Sequence, residues 1–173
     1  MNLEKITPKC LPTGKIGNKG LLSDDFGSVT ICYDDGKGLV KEADLNGLDP
    51  DKVKRTAWSN MRTEGCPMTD IYRTHGVKVK KPPTYMVKAP FGFDTLSLSW
   101  IAKVWNESVI YILPGSTEEA ILVAGSEVKS GRMTEDKLKR LVRRANEKIK
   151  ADQVAEILSD DVFCFENSRL KVI

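Results

Sequence analysis

Two rhythms of apolar residues run along this chain, and the stretch from Gly92 to Gly125, GFDTLSLSWIAKVWNESVIYILPGSTEEAILVAG, contains both. Leu98, Ile101, Val104 and Trp105 recur at helical spacing behind Asp94 or Thr95, either of which suits a helix N-cap. Asn106-Glu107-Ser108 breaks the pattern, and Val109 to Leu113 form a short, β-rich apolar run. Pro114-Gly115 turns the chain, and Ala120 to Ala124 make the return strand. Helix, strand, turn, strand is the unit around which the rest is expected to organise.

Further elements follow from the same patterns. Ser28 to Tyr33 reads as a strand, with Asp34-Asp35-Gly36-Lys37-Gly38 as a hairpin turn into Leu39-Val40. Asp49 caps a helix with Pro50 at its first position and Val53, Ala57 and Met61 as a narrow apolar stripe, beside which Trp58 packs inward. Gly65 and Pro67 end that helix. Val77 and Val79 alternate with lysines as an edge strand would, Pro82-Pro83 stops it, and Tyr85-Met86-Val87 is a second candidate strand. Ser126 to Gly131 reads as a loop. Thr134 then caps the clearest helix, whose apolar positions are Leu138, Leu141, Val142, Ala145 and Ile149. Glu135 and Asp136 sit in its first turn, and Lys148 and Lys150 near its end, as the helix dipole favours. A shorter helical segment, Asp152 to Leu158, precedes a strand at Val162 to Phe165. Asn167-Ser168 turns the chain into Leu170 to Ile173.

Short strands with helices between them, lacking regular βαβ alternation, predict an α+β fold. The expected arrangement is a mainly antiparallel sheet with the Val109–Ala124 hairpin central and the two principal helices packed on one face. Residues 23–173 are taken as a single domain. Residues 1–22 are taken as a flexible basic segment, because Pro8, Pro12, Gly14, Gly17 and Gly20 leave no run long enough for an element. The GKIGNKG run at 14–20 lacks the order of a phosphate loop, and no apolar strand leads into it.

Composition narrows the classes. The 173 residues are 40% hydrophobic and 29% charged, ordinary for a globular chain, and the net charge is only +3. No apolar run approaches the ~20 residues of a membrane span, and no secretion signal opens the chain, so a cytoplasmic protein without membrane contact is expected. Cys10, Cys32, Cys66 and Cys164 are scattered with no C-x-x-C pair, and His75 is the single histidine. Neither a metal site, a cofactor nor a structural disulfide is therefore expected.

The C-terminal half is similar to an uncharacterised family of proteins abundant in gut Firmicutes, domain of unknown function 5688. That family's C-terminal part runs Y-I-L-P-S-S, an I-H-E-V-[IL]-L strand, V-R-E-V-N, V-L-S-D and V-Y-x-Y. Here Tyr111 to Ser116, Glu119 to Leu122, Val142 to Asn146, Ile157 to Asp160 and Val162 to Phe165 follow in the same order. Ala57 to Arg62 resembles an A-x-x-N-T helix segment of that family. The likeness spans roughly residues 40 to 165 and departs in three places. Thr117-Glu118-Glu119 replaces the family's histidine motif, the segment between Asn146 and Leu158 is longer and lacks a proline, and the family's longer N-terminal region has no counterpart. The resemblance implies an α+β domain of bacterial or phage or other mobile-element origin and assigns no activity.

Chemistry is sparse. No serine or cysteine motif marks a nucleophile, and the carboxylates sit in turns and helix starts where capping explains them. No catalytic residue is assigned, and a non-enzymatic module binding a protein or small ligand is the leading expectation. Nucleic-acid binding is the alternative. Under either reading the candidate ligand or partner contacts are Arg73, His75, Lys78, Lys80 and Tyr85 in the 73–88 loop and Arg140, Arg143 and Arg144 on the 135–149 helix. A charged helix face is usually a solvated one, which sets the bar for either reading.

Overall fold

The computed structural model describes residues 1–16, 20–65, 84–153 and 155–173. In chain order the elements are β1 (Thr7–Pro12), α1 (Thr13–Ile16), β2 (Ser23–Phe26), β3 (Val29–Asp34), α2 (Pro50–Gly65), β4 (Thr84–Lys88), α3 (Thr95–Trp105), β5 (Val109–Pro114), β6 (Glu119–Ala124), α4 (Gly125–Lys129), α5 (Glu135–Asp152), β7 (Phe163–Glu166) and β8 (Arg169–Val172). They form an α+β fold with two antiparallel sheets, ordered β1-β3-β2 and β4-β6-β5-β7-β8.

The central unit forms as its sequence predicts. Asp94 caps α3 by accepting the Leu96 N–H at 3.3 Å. Asn106 ends α3 in the left-handed conformation, φ 53°, which asparagine tolerates better than most residues. The strands β5 and β6 then pair in the register Ile110↔Ala124 to Pro114↔Ala120, with β5 in the middle of the larger sheet. Gly125 follows at once because nothing larger fits: a Cβ there would lie 2.7 Å from the Val109 carbonyl oxygen.

Strand alternation sends the side chains of the larger sheet to two cores. Val87, Ile110, Ile112, Ala120, Leu122, Phe163 and Phe165 face one way. There they meet Leu98, Ile101 and Trp105 of α3, Val53, Ala57 and Met61 of α2, and the inner face of the smaller sheet. Val109, Tyr111, Leu113, Val123 and Cys164 face the other way and meet Leu138 and Val142 of α5. The two principal helices, α2 and α5, thus lie on opposite sides of this sheet, not on one face as the sequence suggested.

Several further expectations are corrected. Residues 1–22 hold a strand: β1 pairs with β3 from Thr7↔Asp34 to Pro12↔Val29, and Ile6, Cys10 and Leu22 are buried. Its two prolines are tolerated because β1 is an edge strand, where a missing N–H need break no ladder bond. The hairpin after β3 shrinks to a bridge between Asp34 and Leu39, while the polar run at 23–26 supplies the true neighbour, β2. Residues 125–129 are a short helix, not part of a loop. The helix expected over Asp152 to Leu158 is absent among the described residues. Instead α5 runs on to Asp152, Gln153 closes it at φ 51°, and Ile157 bridges to Ser116. On α3, Val104 points to solvent and Ser97 takes the inner position beside the Asp94 carboxylate, which accepts its hydroxyl at 2.6 Å.

Cys10, Cys32 and Cys164 are buried free thiols. Burial is the main cause that pushes all three above the usual thiol range, Cys32 to about 11. They remain protonated and act as small core residues.

Candidate binding surface

Among the described residues, the outer face of α5 gathers the largest set of candidate side chains, Arg140, Arg143 and Arg144. Thr134 caps the helix by accepting the Lys137 N–H at 3.2 Å, and Glu135 and Asp136 occupy the first turn. The buried positions are Leu138, Val142 and Asn146, one every four residues. Asn146 belongs to this stripe because it donates from Nδ2 to the Ser159 carbonyl at 2.9 Å and to Asp160 Oδ1 at 2.7 Å. That clamp turns the helix so that Leu141, expected in the core, stands 45% exposed, and Ala145 is exposed beside it. The stripe is correspondingly narrow.

Leu141 does not stand alone. With the half-buried Met133 it lines an open groove of about 370 Å³ whose other walls are Arg132, Lys137, Arg140 and Arg144. Few of these cations are neutralised. Arg132 reaches Glu127 at 3.5 Å, but among the described residues Lys137 and Arg140 bond only to the backbone carbonyls of Arg132 and Asp136. Arg143 and Arg144 are exposed and make no ion pair among the described residues. Beneath the helix, Tyr111 donates weakly to Glu135 at 3.5 Å; burial first, and then that carboxylate, hold its hydroxyl above the usual phenol range. An exposed pair, Met86 and Ile121, adds apolar surface on the same face of the sheet.

Of the other candidate contacts, only Tyr85 falls among the described residues. Arg73, His75, Lys78 and Lys80 lie outside the described residues, as does the edge strand expected at Val77 and Val79. Tyr85 is on β4 as expected, but it pairs with Leu122 and packs half-buried on the core opposite α5. Tyr85 and the three arginines therefore face away from each other across the sheet. Sequence reasoning missed Met133 and the exposure of Leu141. The only available sign was Asn146, a polar residue four positions after Val142.

Other sites offer less. A cleft of about 390 Å³ between the sheets is lined by Lys9, Lys88, Glu64, Glu118 and Glu156, so its mixed charge selects no ligand. Among the described residues no group of three His, Cys, Asp or Glu is placed to hold a metal ion. Among them, too, no helix is long and apolar enough to cross a membrane. No protein-family model, curated protein or solved structure matches the chain.

Proposed function

We propose that this protein is a non-enzymatic interaction module that docks an acidic, amphipathic segment of a partner protein on the outer face of α5. One observation carries the reading: Leu141 is exposed in a groove walled by Arg132, Lys137, Arg140 and Arg144. A merely solvated helix face would place a polar residue there. An apolar anchor among cations of which only Arg132 has an ion-pair partner among the described residues is complementary to apolar side chains flanked by carboxylates, the helix-in-groove mode of recognition. Within α5 the cations from Lys137 to Arg144 span about 10.5 Å at 1.5 Å per residue, the length of roughly two turns of a docked helix.

Nucleic-acid binding is the second reading, supported by Arg143 and Arg144, which are exposed and make no ion pair among the described residues. Glu135, Asp136 and Glu147 on the same helix repel either kind of anion, so what favours the peptide is the exposed Leu141, which phosphates would leave uncovered.

Fluorescence anisotropy separates the two. The probes are a labelled 16-residue helical peptide with leucines at helical spacing among glutamates, and a labelled 20-base-pair duplex. The peptide is expected to bind saturably at physiological salt, and the triple change of Arg140, Arg143 and Arg144 to Glu is expected to weaken it by tenfold or more. The duplex is expected to show only the weak attraction, about 10⁻⁴–10⁻⁶ M, common to basic surfaces. Tight duplex binding, with a salt slope that the triple variant flattens by about three, would transfer the function to nucleic acid.

A further inference from the structure

We infer a second binding site, a small pocket between α2, β2 and the start of α3 that accepts a planar aromatic carboxylate. The pocket is half open, holds about 190 Å³ and is walled by Phe26, Trp58, Phe93 and Leu96, with Arg55, Arg62, Asp24, Asp94 and Thr95 at its polar side. A cavity of about 150 Å³ accommodates benzene, so the space suits one ring and a short substituent, and a whole nucleotide is too large.

The walls are fixed before any ligand arrives. Phe93 stands edge-on to Phe163 at 5.1 Å and tilted against Phe26 at 5.8 Å. The Tyr33 hydroxyl donates to Asp24 Oδ2 at 2.5 Å, while Lys54 donates to Asp24 Oδ1 at 2.6 Å. Burial, and then Asp24, keep Tyr33 protonated as that donor. Preorganised aromatic walls lower the ordering entropy that binding would otherwise cost.

The count of donors and acceptors selects the ligand's charge. Asp94 is saturated: Oδ1 accepts from Arg62 and the Leu96 N–H, and Oδ2 accepts from Arg62 and Ser97. Arg62 spends only Nη1 on this pair, so its Nε and Nη2 hydrogens have no acceptor among the described residues. Its side chain is 25% exposed, and Asp94 holds the guanidinium in place. Arg55 is more open still, with only Asp49, at 3.6 Å, as an ion-pair partner among the described residues. Surplus guanidinium donors beside aromatic walls call for a ligand that brings acceptors on a flat ring, and a carboxylate is the anion whose geometry a guanidinium matches in two bonds. Asp24 alone retains acceptor capacity, so a ring-bearing amine is the competing ligand.

Titration of the full chain with phenylacetate and with phenethylamine, followed by tryptophan fluorescence and ligand-observed NMR, tests the site. Phenylacetate is expected to bind saturably with a Kd of about 1 mM or tighter, and phenethylamine at least tenfold more weakly. Removing Arg62 would leave Asp94 buried and unpaired, so the variants are Arg55→Gln and Leu96→Glu, both at exposed positions. Glutamate at Leu96 also suits the first turn of a helix, so folding is expected to stay intact. Each is expected to weaken phenylacetate about tenfold with an unchanged unfolding midpoint. Absence of saturation, equal affinity for the amine, or both variants within twofold of wild type would overturn the assignment. None of these changes touches the α5 groove, so the result stands apart from the fate of that surface.

Discussion

The two faces of the five-stranded sheet are sealed very differently. On one side Ile110, Ile112, Leu122, Phe163 and Phe165 are covered by α2, α3 and a second sheet, and the cluster continues through to Val29, Ile31 and Tyr33. On the other side Val109, Tyr111, Leu113, Val123 and Cys164 are covered mainly by α5, which contributes Leu138 and Val142 with an asparagine as its third buried residue, while Val128 of α4, Met133 and Ile173 pack at the margin. The first face stabilises by sheer buried area. The second is covered only as far as a four-residue stripe reaches, and Leu141 and Met86 are left outside it. The thinly covered face is the one with surface to spare for a partner.

Truncations rank the two faces. Phe163→Ala, in the thick core and 1% exposed, is expected to cost about 3–5 kcal/mol by urea denaturation. Leu138→Ala, fully buried under α5, is expected to cost about 2–5 kcal/mol and to fall toward the lower end, because the smaller cluster can collapse onto the gap. A larger loss at Leu138 than at Phe163 would reverse the comparison. Gly125→Ala pushes a methyl group against Val109 at the junction of β5 and β6, and a cost of about 1–3 kcal/mol is expected, as for other overpacked sites.

The smallest effect belongs to the second sheet's edge and appears as a pH dependence. Lys9 bonds to Asp34 at 2.7 Å, and this bond, foremost among its causes, holds the Asp34 carboxyl below its usual value. A depressed folded pKa gives stability that is present above the unfolded value, about 3.9, and is lost as pH falls through the folded one. Lys9 is more than half exposed, so the effect is expected to stay below about 1 kcal/mol. Melting curves from pH 6 to pH 2 are expected to show a shallower acid loss for Lys9→Met than for wild type. Parallel curves would remove the pair from the account.

Much of the fold was legible, because local signals and tertiary structure agree where an element is both apolar and bounded. Asp94, Asn106 and Pro114-Gly115 mark the limits of α3, β5 and the turn, and the structure uses each in that role. The strand β1 was hidden because Pro8 and Pro12 look like breakers until the edge position is known. The strand β2, with Asp24 and Asp25, was hidden because its partners are polar: Tyr33 and Lys54 bond to Asp24, and Thr30 to Asp25. Arg140, Arg143 and Arg144 were readable as an exposed basic face. The groove was not, because periodicity alone puts Leu141 and Ala145 inward. What rotates the helix is the bond from Asn146 to a carbonyl thirteen residues away, which no local pattern encodes.

The most direct test of this account is to measure one substitution, Leu141→Ala, in two assays on the same preparation. The account separates the side chain's two roles: it is outside the core, so unfolding free energy is expected to change by no more than about 0.5 kcal/mol. It is also the apolar anchor of the groove, so affinity for the acidic amphipathic peptide is expected to fall about tenfold, or about 1.4 kcal/mol. A loss of several kcal/mol in stability with peptide affinity unchanged would return Leu141 to the core and contradict the proposed surface.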